Sequence, residues 1–530
     1  MKNLNQYDFS KLYSTLKKPI NIIAFLSTLI CGLIIHFSMA ANDFLTKDGI
    51  WNSIGGMHTS GKWEASLGRW GLHIVDKTRL GVINIYMIIA LSLFFLALTS
   101  VLLCNMFKVQ NKIVALCISL SIAAAPQLVN IFCDIYCADS YCISIFLATA
   151  SIFLMFNKID SKIDKLRIPL SIIFLAVSLG LYQASIGIAT SLIMFLFFNM
   201  LKDNEPINTS IKKVFKSFIF VLCGSVLYYI IAILYMKYLG IKFASYGGAD
   251  KLGFSTSIKN IPNNINKAYT FTYNYFFSNN VVKNHVLHRY LLWLIFFSLF
   301  VIVFILFAIK NQGLDKKVIR LILMALCILI MPIFLATILF INPFYYPNLM
   351  ISTPWMFVLP CILAISSNMI PRKMDLYFYC NATSIFVSLI IIWSCMWQTG
   401  ASYTALGMTC KQASTIAQNI YCKAIDLDDY SDKYPYYFVG SYLKNQGPKA
   451  AVYNTAIGLS TESIDFPDDI GRMSTWAGFF KYTMGISINT KSEKQAQSIR
   501  DSEEFKSMPC YPMKGSVKVI DKTIVVKFDN

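Results

Sequence analysis

The chain has 530 residues, of which 56% are hydrophobic and only 14% charged, with a mean hydropathy of +0.55. A soluble globular chain carries about 25% charged residues, so this composition excludes an ordinary soluble domain. The net charge of +19 does not mark a nucleic-acid binder, because the cations sit in short loops between apolar stretches and form no single basic patch.

Four stretches, residues 83–106, 217–236, 290–309 and 376–397, contain no charged residue. Each can cross a hydrocarbon core of about 30 Å as a helix of about 20 residues. Open sheets cannot, since backbone groups in lipid must be satisfied within the segment. The pattern predicts eleven spans, near 20–40, 83–106, 113–131, 142–156, 168–182, 184–201, 217–238, 290–309, 318–341, 351–370 and 376–398. The expected fold is an all-α polytopic membrane protein. Lys17 and Lys18 precede the first run, and Ser38-Met39-Ala40 resembles a signal-peptide cleavage site. That run exceeds the roughly 7–15 residues of a secretory apolar core, so it reads as an uncleaved helix. The runs 168–182 and 184–201 meet at Tyr182-Gln183, as two short helices or one long helix with a break.

Loops at 1–20, 108–112, 157–167, 202–216, 310–320 and 371–375 hold 20 of the 47 lysines and arginines. This is the bias that keeps such loops in the cytoplasm. The outward regions are then a first loop at 41–82, a short loop at 132–141, a loop at 239–288 and a tail from 399. The division is a transmembrane part at 1–398 and an extracytoplasmic C-terminal α+β domain at 399–530. In the tail, helices are expected at Ala413–Ile425 and near Glu493–Phe505. A terminal hairpin is expected about Asp521-Lys522, where apolar and polar residues alternate on both sides. Cys133, Cys137 and Cys142 gather in the short outer loop and Cys410, Cys422 and Cys510 in the tail. With no clustered histidines they read as disulfides or free thiols, not as a zinc site. No C-x-x-C pair, phosphate-binding loop or dinucleotide fingerprint is present, which argues against nucleotide-driven chemistry.

The first outer loop carries the residues suited to chemistry. It opens with Asn42-Asp43, runs through Lys47-Asp48-Gly49, and later holds Trp63-Glu64 and Gly68-Arg69-Trp70. Acids at a membrane surface beside cations and aromatics supply a base, a phosphate clamp and sugar-stacking faces; a solvated loop with interfacial tryptophans would use the same residue types. Asp134 and Asp139, five residues apart in the short loop, could bind a divalent cation or steer an acceptor hydroxyl.

Several motifs follow in order: Asn42-Asp43, Leu67-Gly68-Arg69-Trp70, Leu179-Gly-Leu-Tyr182-Gln183-Ala-Ser-Ile186, Asn342-Pro-Phe-Tyr-Tyr-Pro347, and Met508-Pro-Cys-Tyr-Pro512 ahead of Gly515-Ser-Val. Together they resemble the Gtr-type (type II) glucosyltransferase family of bacterial membrane proteins, and through it the wider GT-C class that uses polyprenyl-phosphate sugars. The chain departs from the pattern at Asn42, where the family commonly has a second acid, and at Asn348, where an arginine often follows the proline.

The resemblance implies a GT-C-like bundle in the bacterial inner membrane with its active site facing the periplasm. A sugar, most commonly glucose, would pass from a polyprenyl-phosphate donor to a polysaccharide or lipid-linked acceptor such as O-antigen. Chemistry agrees, since an outward-facing transferase needs a lipid-carried donor, and a polyprenyl phosphate leaves as an anion with little need of a general acid. The acceptor hydroxyl needs a base, for which Asp43 is the first choice and Asp48 the second; a cation should meet the phosphate, for which Arg69 is placed. Tyr182 and Gln183 are expected in the donor cavity, Trp70, Tyr345 and Tyr346 against sugar, and Asp134 and Asp139 near the acceptor. No cofactor is required, with a divalent cation left open. Rival readings are a flippase or transporter for lipid-linked saccharides, a polysaccharide polymerase, and an interaction scaffold. Transporters show related halves and midplane charges, and this chain shows neither.

Overall fold

A computed structural model describes residues 18–42, 46, 49–50, 61–79, 83–157, 162–245, 259–310, 315–342, 344, 348–369, 375–441, 452–457 and 469–529. In chain order its main helices are α1 (Pro19–Asn42), α2 (Gly61–Ser66), α3 (Trp70–Thr78), α4 (Ile85–Met106), α5 (Lys112–Ala123), α6 (Gln127–Cys133), α7 (Ile135–Phe156), α8 (Arg167–Leu181), α9 (Ile186–Lys202) and α10 (Ile207–Leu239). They continue with α11 (Ile261–Phe277), α12 (Arg289–Lys310), α13 (Lys317–Leu335), α14 (Val358–Ser366), α15 (Asp375–Ile425) and, in the tail, α16 (Asp469–Met484).

Among the described residues eight helices are long and apolar enough to cross a membrane: α1, α4, α7, α9, α10, α12, α13 and α15. The pair α5 and α6 makes a ninth if its 44° bend is one span; the bend falls at Pro126, whose ring cannot continue a helix. All eleven expected segments lie on helices, but α8 has only 15 residues and α14 only 9. At about 1.5 Å per residue α8 is about 22 Å long, short of a full crossing. The protein is a multi-pass helical membrane protein. The break expected at Tyr182-Gln183 is real: a 3-10 turn at Gln183–Ser185 separates α8 from α9.

Polar side chains join the helices without exposing hydrogen-bonding groups to lipid. Ser144 on α7 bonds Ser185 and Ser178 (2.7 and 3.1 Å), Ser151 meets Ser171 (3.2 Å), and Thr28 on α1 donates to Ser100 on α4 (2.8 Å). At one end of the bundle Arg320 donates to the carbonyls of Asp315 and Leu201, and Asn368 to that of Phe107. The basic loops after α4 and α9, before α13 and after α14 therefore share one end. Gln183 and the first loop lie at the other.

Three expectations change. The short loop at 132–141 is not a loop, since α7 already begins at Ile135; its acids, which look like solvated loop residues in sequence, find partners within the fold as described below. The separate helix at 413–425 is the outer part of α15, a single helix of 51 residues and about 77 Å that also contains the expected boundary at 398/399. Gly400 does not break it; a Cβ there would meet nothing within 4 Å. The helix expected near 493–505 is three short pieces, Glu493–Ala496, Gln497–Asp501 and Glu503–Ser507, the first opened by a Ser492–Gln495 capping box.

The terminal hairpin stands as β2 (Val517–Ile520) and β3 (Thr523–Lys527). Asp521 and Lys522 both have positive φ, 47° and 51°, the backbone of a two-residue turn matched to strand twist. A strand not expected from sequence, Tyr436–Val439, adds to β3 in parallel and gives the order β1-β3-β2. It is buried on both faces, so it lacks the alternation that reveals a half-exposed strand. None of the fourteen cysteines is in a disulfide.

Candidate active site

The start of α7 holds the first loop to the bundle at several points. Thr46 donates to Asp134 Oδ1 (2.8 Å) and to the Cys133 carbonyl (3.2 Å). Arg69 donates through Nη1 to the Tyr141 hydroxyl (2.9 Å), and Arg79 pairs with Asp139 and also donates to the Tyr136 carbonyl. Asp134 and Tyr141 are seven residues apart, about 10 Å along the helix. One helix end thus fixes both halves of the loop.

Arg69 is the centre of the site. Its Nη1 pairs with Glu64 Oε2 at 2.8 Å and its Nε donates to Gln183 Oε1 at 3.2 Å. The guanidinium lies 5.6 Å from the Tyr182 ring and 5.8 Å from that of Tyr141, and these rings stack with centroids 4.0 Å apart. Glu64 is held in turn by the Tyr136 hydroxyl (3.4 Å). Gln183 Nε2 donates to the Leu67 carbonyl (2.7 Å) and the Tyr228 hydroxyl (3.1 Å). The Arg69 head therefore points into the protein, unlike a snorkelling side chain, and retains 17% exposure.

Glycines explain how two distant motifs reach one place. Gly68 has φ +84°, and a Cβ there would lie 2.6 Å from the Tyr228 hydroxyl; only glycine fits both the conformation and the space. Gly71 packs on Gly180, where a Cβ would sit 3.0 Å from the carbonyl carbon. The Leu67–Trp70 and Leu179–Ile186 motifs are two faces of one contact. Gly180 forms a slot for the Trp70 indole, only 2.4 Å from a Cβ at that position. Gly180→Ala is accordingly expected to cost about 1–3 kcal/mol by overpacking, read as a lower melting temperature of the purified protein with reduced activity. Unchanged melting and activity would contradict this packing.

That slot corrects one site expectation. Trp70 is buried, 8% exposed, and presents no face to a sugar; Trp63, 51% exposed, is the open indole of the first loop. Asp139 is buried and lies within α7, where it pairs with Arg79, while Asp134 accepts from Thr46. The two acids thus meet different partners and do not converge on one point. Among the described residues no three His, Cys, Asp or Glu side chains form a metal-ligand group. Tyr182 and Gln183 both lie beside Arg69. The Thr337–Ile341 turn ahead of the fourth motif packs on Gln183–Ser185, and Asn342 is buried. Asp43, Asp48, Tyr345 and Tyr346 lie outside the described residues. The Met508–Pro512 motif is in the tail, where Tyr511 bonds the Lys527 carbonyl.

Sequence reading gave no role to Glu64, Asp76, Arg79, Tyr136, Tyr141 or Tyr228. Arg79 salt-bridges Asp76 Oδ1 (2.8 Å) as well as Asp139, so one guanidinium serves two buried carboxylates. The Asp76–Arg79 spacing of three residues is a helix-pair signal, though Tyr136, Tyr141 and Tyr228 carry none. Nearby, burial together with Lys77 and Lys62 pushes the His73 imidazole below its ordinary value. It stays neutral and pairs through Nδ1 with the Tyr235 hydroxyl (2.8 Å).

Arg69, held by Glu64 and Gln183 beside the stacked rings of Tyr141 and Tyr182, thus sits at the end of the bundle away from its basic loops. The family comparison decides the class: the model for glucosyl transferase GtrII matches residues 37–365. The chain belongs to the GtrII glucosyl transferase family. The match takes in the last residues of α1, the first loop, the Arg69 centre and the helices from α2 through nearly all of α14, and ends before α15 and the tail. No curated protein and no solved structure matches the chain.

Proposed function

We propose that this membrane glucosyltransferase moves a glucosyl group from a polyprenyl-phosphate donor to a surface polysaccharide such as O-antigen, at the periplasmic face of the bacterial inner membrane. The observation that carries the proposal is the Arg69 centre. Two family motifs and the start of α7 converge on a guanidinium at the end of the bundle opposite the basic loops. With α8, α14 and the α5–α6 pair counted as crossings, the total is eleven, which puts the first loop and the tail outside together.

In this scheme Arg69 meets the phosphate charge that develops as the sugar leaves, and Glu64 with Gln183 holds the guanidinium in place. Tyr182 lines the donor cavity beside it. Asp43 is the base that takes the acceptor proton, with Asp48 as its reserve. Thr46, which lies between them in sequence, is tied to Asp134 and so links this part of the loop to the start of α7. Tyr345 and Tyr346 stack on sugar, and the tail binds the acceptor.

One base and a good leaving group call for single displacement, so the anomeric configuration should invert. Membranes expressing the chain are given polyprenyl-phosphate sugars of several kinds, and the polysaccharide is analysed by NMR for new side groups. Expected is a new glucosyl group whose anomeric configuration is opposite to the donor's. The same configuration in both would require a covalent sugar-enzyme intermediate and a second essential carboxylate, and no added sugar from any lipid-linked donor would reject the proposal.

A further inference from the structure

A second cationic centre lies away from Arg69. Arg289 opens α12 and is 1% exposed. Its guanidinium donates to Ser394 Oγ (2.5 Å), the Ser394 carbonyl (3.1 Å) and Gln398 Oε1 (2.7 Å), all neutral groups on α15. Among the described residues no carboxylate pairs with it. Arg69 and Arg79 pair with Glu64, Asp76 and Asp139, and the buried Arg320 caps the carbonyl end of α9, where a cation is favoured. Arg289 sits instead at a helix N-terminus, where the helix dipole adds to its positive charge. A buried guanidinium is costly without a counter-ion, and intramembrane charges of this kind mark functional sites. Two further buried polar atoms next to this network, Asn284 Oδ1 and Thr399 Oγ1, have no hydrogen-bond partner.

The same helix leads from this charge into an apolar chamber. Phe297, eight residues and about 12 Å along α12 from Arg289, lines a cavity of about 250 Å³ together with Phe276, Phe300, Val301, Ile328 and Met331. Val301 and Ile328 are 47% and 40% exposed, so the chamber opens toward lipid between α12 and α13. Trp293, one turn below Arg289, packs edge-on against Phe276 (4.7 Å) and links charge and chamber. An uncompensated cation above an apolar chamber fits an amphipathic anion, a lipid phosphate.

We infer that Arg289 and this chamber hold the isoprenyl-phosphate anchor of a lipid-linked acceptor saccharide. The head group takes the place of the Gln398 oxygen on the guanidinium, and the chain enters between α12 and α13. The identity of the lipid rests on the transferase reading above. The acceptor is assigned here, and not the donor, because the centre lies beneath the tail: Gln398 Nε2 donates to the Thr455 carbonyl (3.0 Å), and Ser402 Oγ accepts from Ile457 N (3.0 Å). Two lipid-linked saccharides brought together need two anion sites, and the chain has two such centres.

The test is calorimetric titration of the purified full chain in lipid nanodiscs with a C15 isoprenyl phosphate, the matching isoprenol and inorganic phosphate. Expected is binding of the isoprenyl phosphate that weakens at least tenfold in Arg289→Gln, while the isoprenol binds weakly to both proteins. Val301→Phe, at the lipid-facing lip, should weaken both isoprenoids and leaves the buried network untouched should Arg289→Gln fail to fold. Equal affinity in either variant, or inorganic phosphate binding as tightly as the isoprenyl phosphate, overturns the proposal. Binding needs no turnover, so it stands apart from failure of the transferase reading. In assays of transfer, the KM for lipid-linked acceptor should rise in Arg289→Gln; a rise confined to the donor KM would give the site to the donor and equally overturn it.

Discussion

Asp43→Asn should lower glucosyl transfer by roughly 10²–10⁴-fold, the loss typical of a removed acid–base group, with the amount of folded protein unchanged. Asparagine keeps the shape of the side chain and removes only its basicity. The position follows directly on α1, which ends at Asn42, and lies three residues before Thr46, whose hydroxyl is tied to Asp134. Initial rates in membranes matched for protein level check this. Full activity in Asp43→Asn would move the role to Asp48, for which the same substitution should then give the loss.

The largest effect on stability is expected at Arg79. Its guanidinium serves Asp76 and Asp139, which are 1% and 3% exposed, and it ties the loop to the start of α7 through the Tyr136 carbonyl. Arg79→Met keeps the length of the side chain and leaves two buried carboxylates without this partner, a change worth about 3–5 kcal/mol. The purified variant should melt well below the parent or fail to accumulate. Adding Asp139→Asn in the same chain should recover part of the loss, because one of the two buried charges is then gone. An unchanged melting temperature for Arg79→Met would mean that this ion-pair group does not hold the loop.

Hydropathy alone located each of the eight helices that are long and apolar enough to cross a membrane among the described residues, because a span must satisfy its backbone internally and be apolar along its length. It failed where that rule meets a local exception. Asp134 and Asp139 looked like loop acids, and the start of α7 was missed, because their partners, the Thr46 hydroxyl and the Arg79 guanidinium, come from 88 and 60 residues earlier in the chain. Thr399-Gly400 looked like the end of a span, yet α15 runs on to Ile425. The Tyr436–Val439 strand, buried on both faces, carried no period to read.

The site was legible as motifs and not as contacts. Leu67–Trp70 and Leu179–Ile186 stood out in sequence, but only the Gly71–Gly180 contact shows that they form one unit. Arg69 and Gln183, singled out separately in the sequence, are joined by a hydrogen bond in the fold. Trp70 was misplaced, since a loop tryptophan reads as an open face and its slot at Gly180 lies 110 residues away. Glu64 gained its role only through Gly68, whose φ of +84° turns the chain so that an acid five residues before Arg69 can reach it.

The measurement that bears most directly on the account is transfer by the purified full chain in proteoliposomes, offered polyprenyl-phosphate glucose or nucleotide-linked glucose with a polysaccharide acceptor. The account predicts glucosylation from the lipid-linked donor alone, abolished by Asp43→Asn. Transfer from the nucleotide sugar, with none from the polyprenyl phosphate, would contradict it.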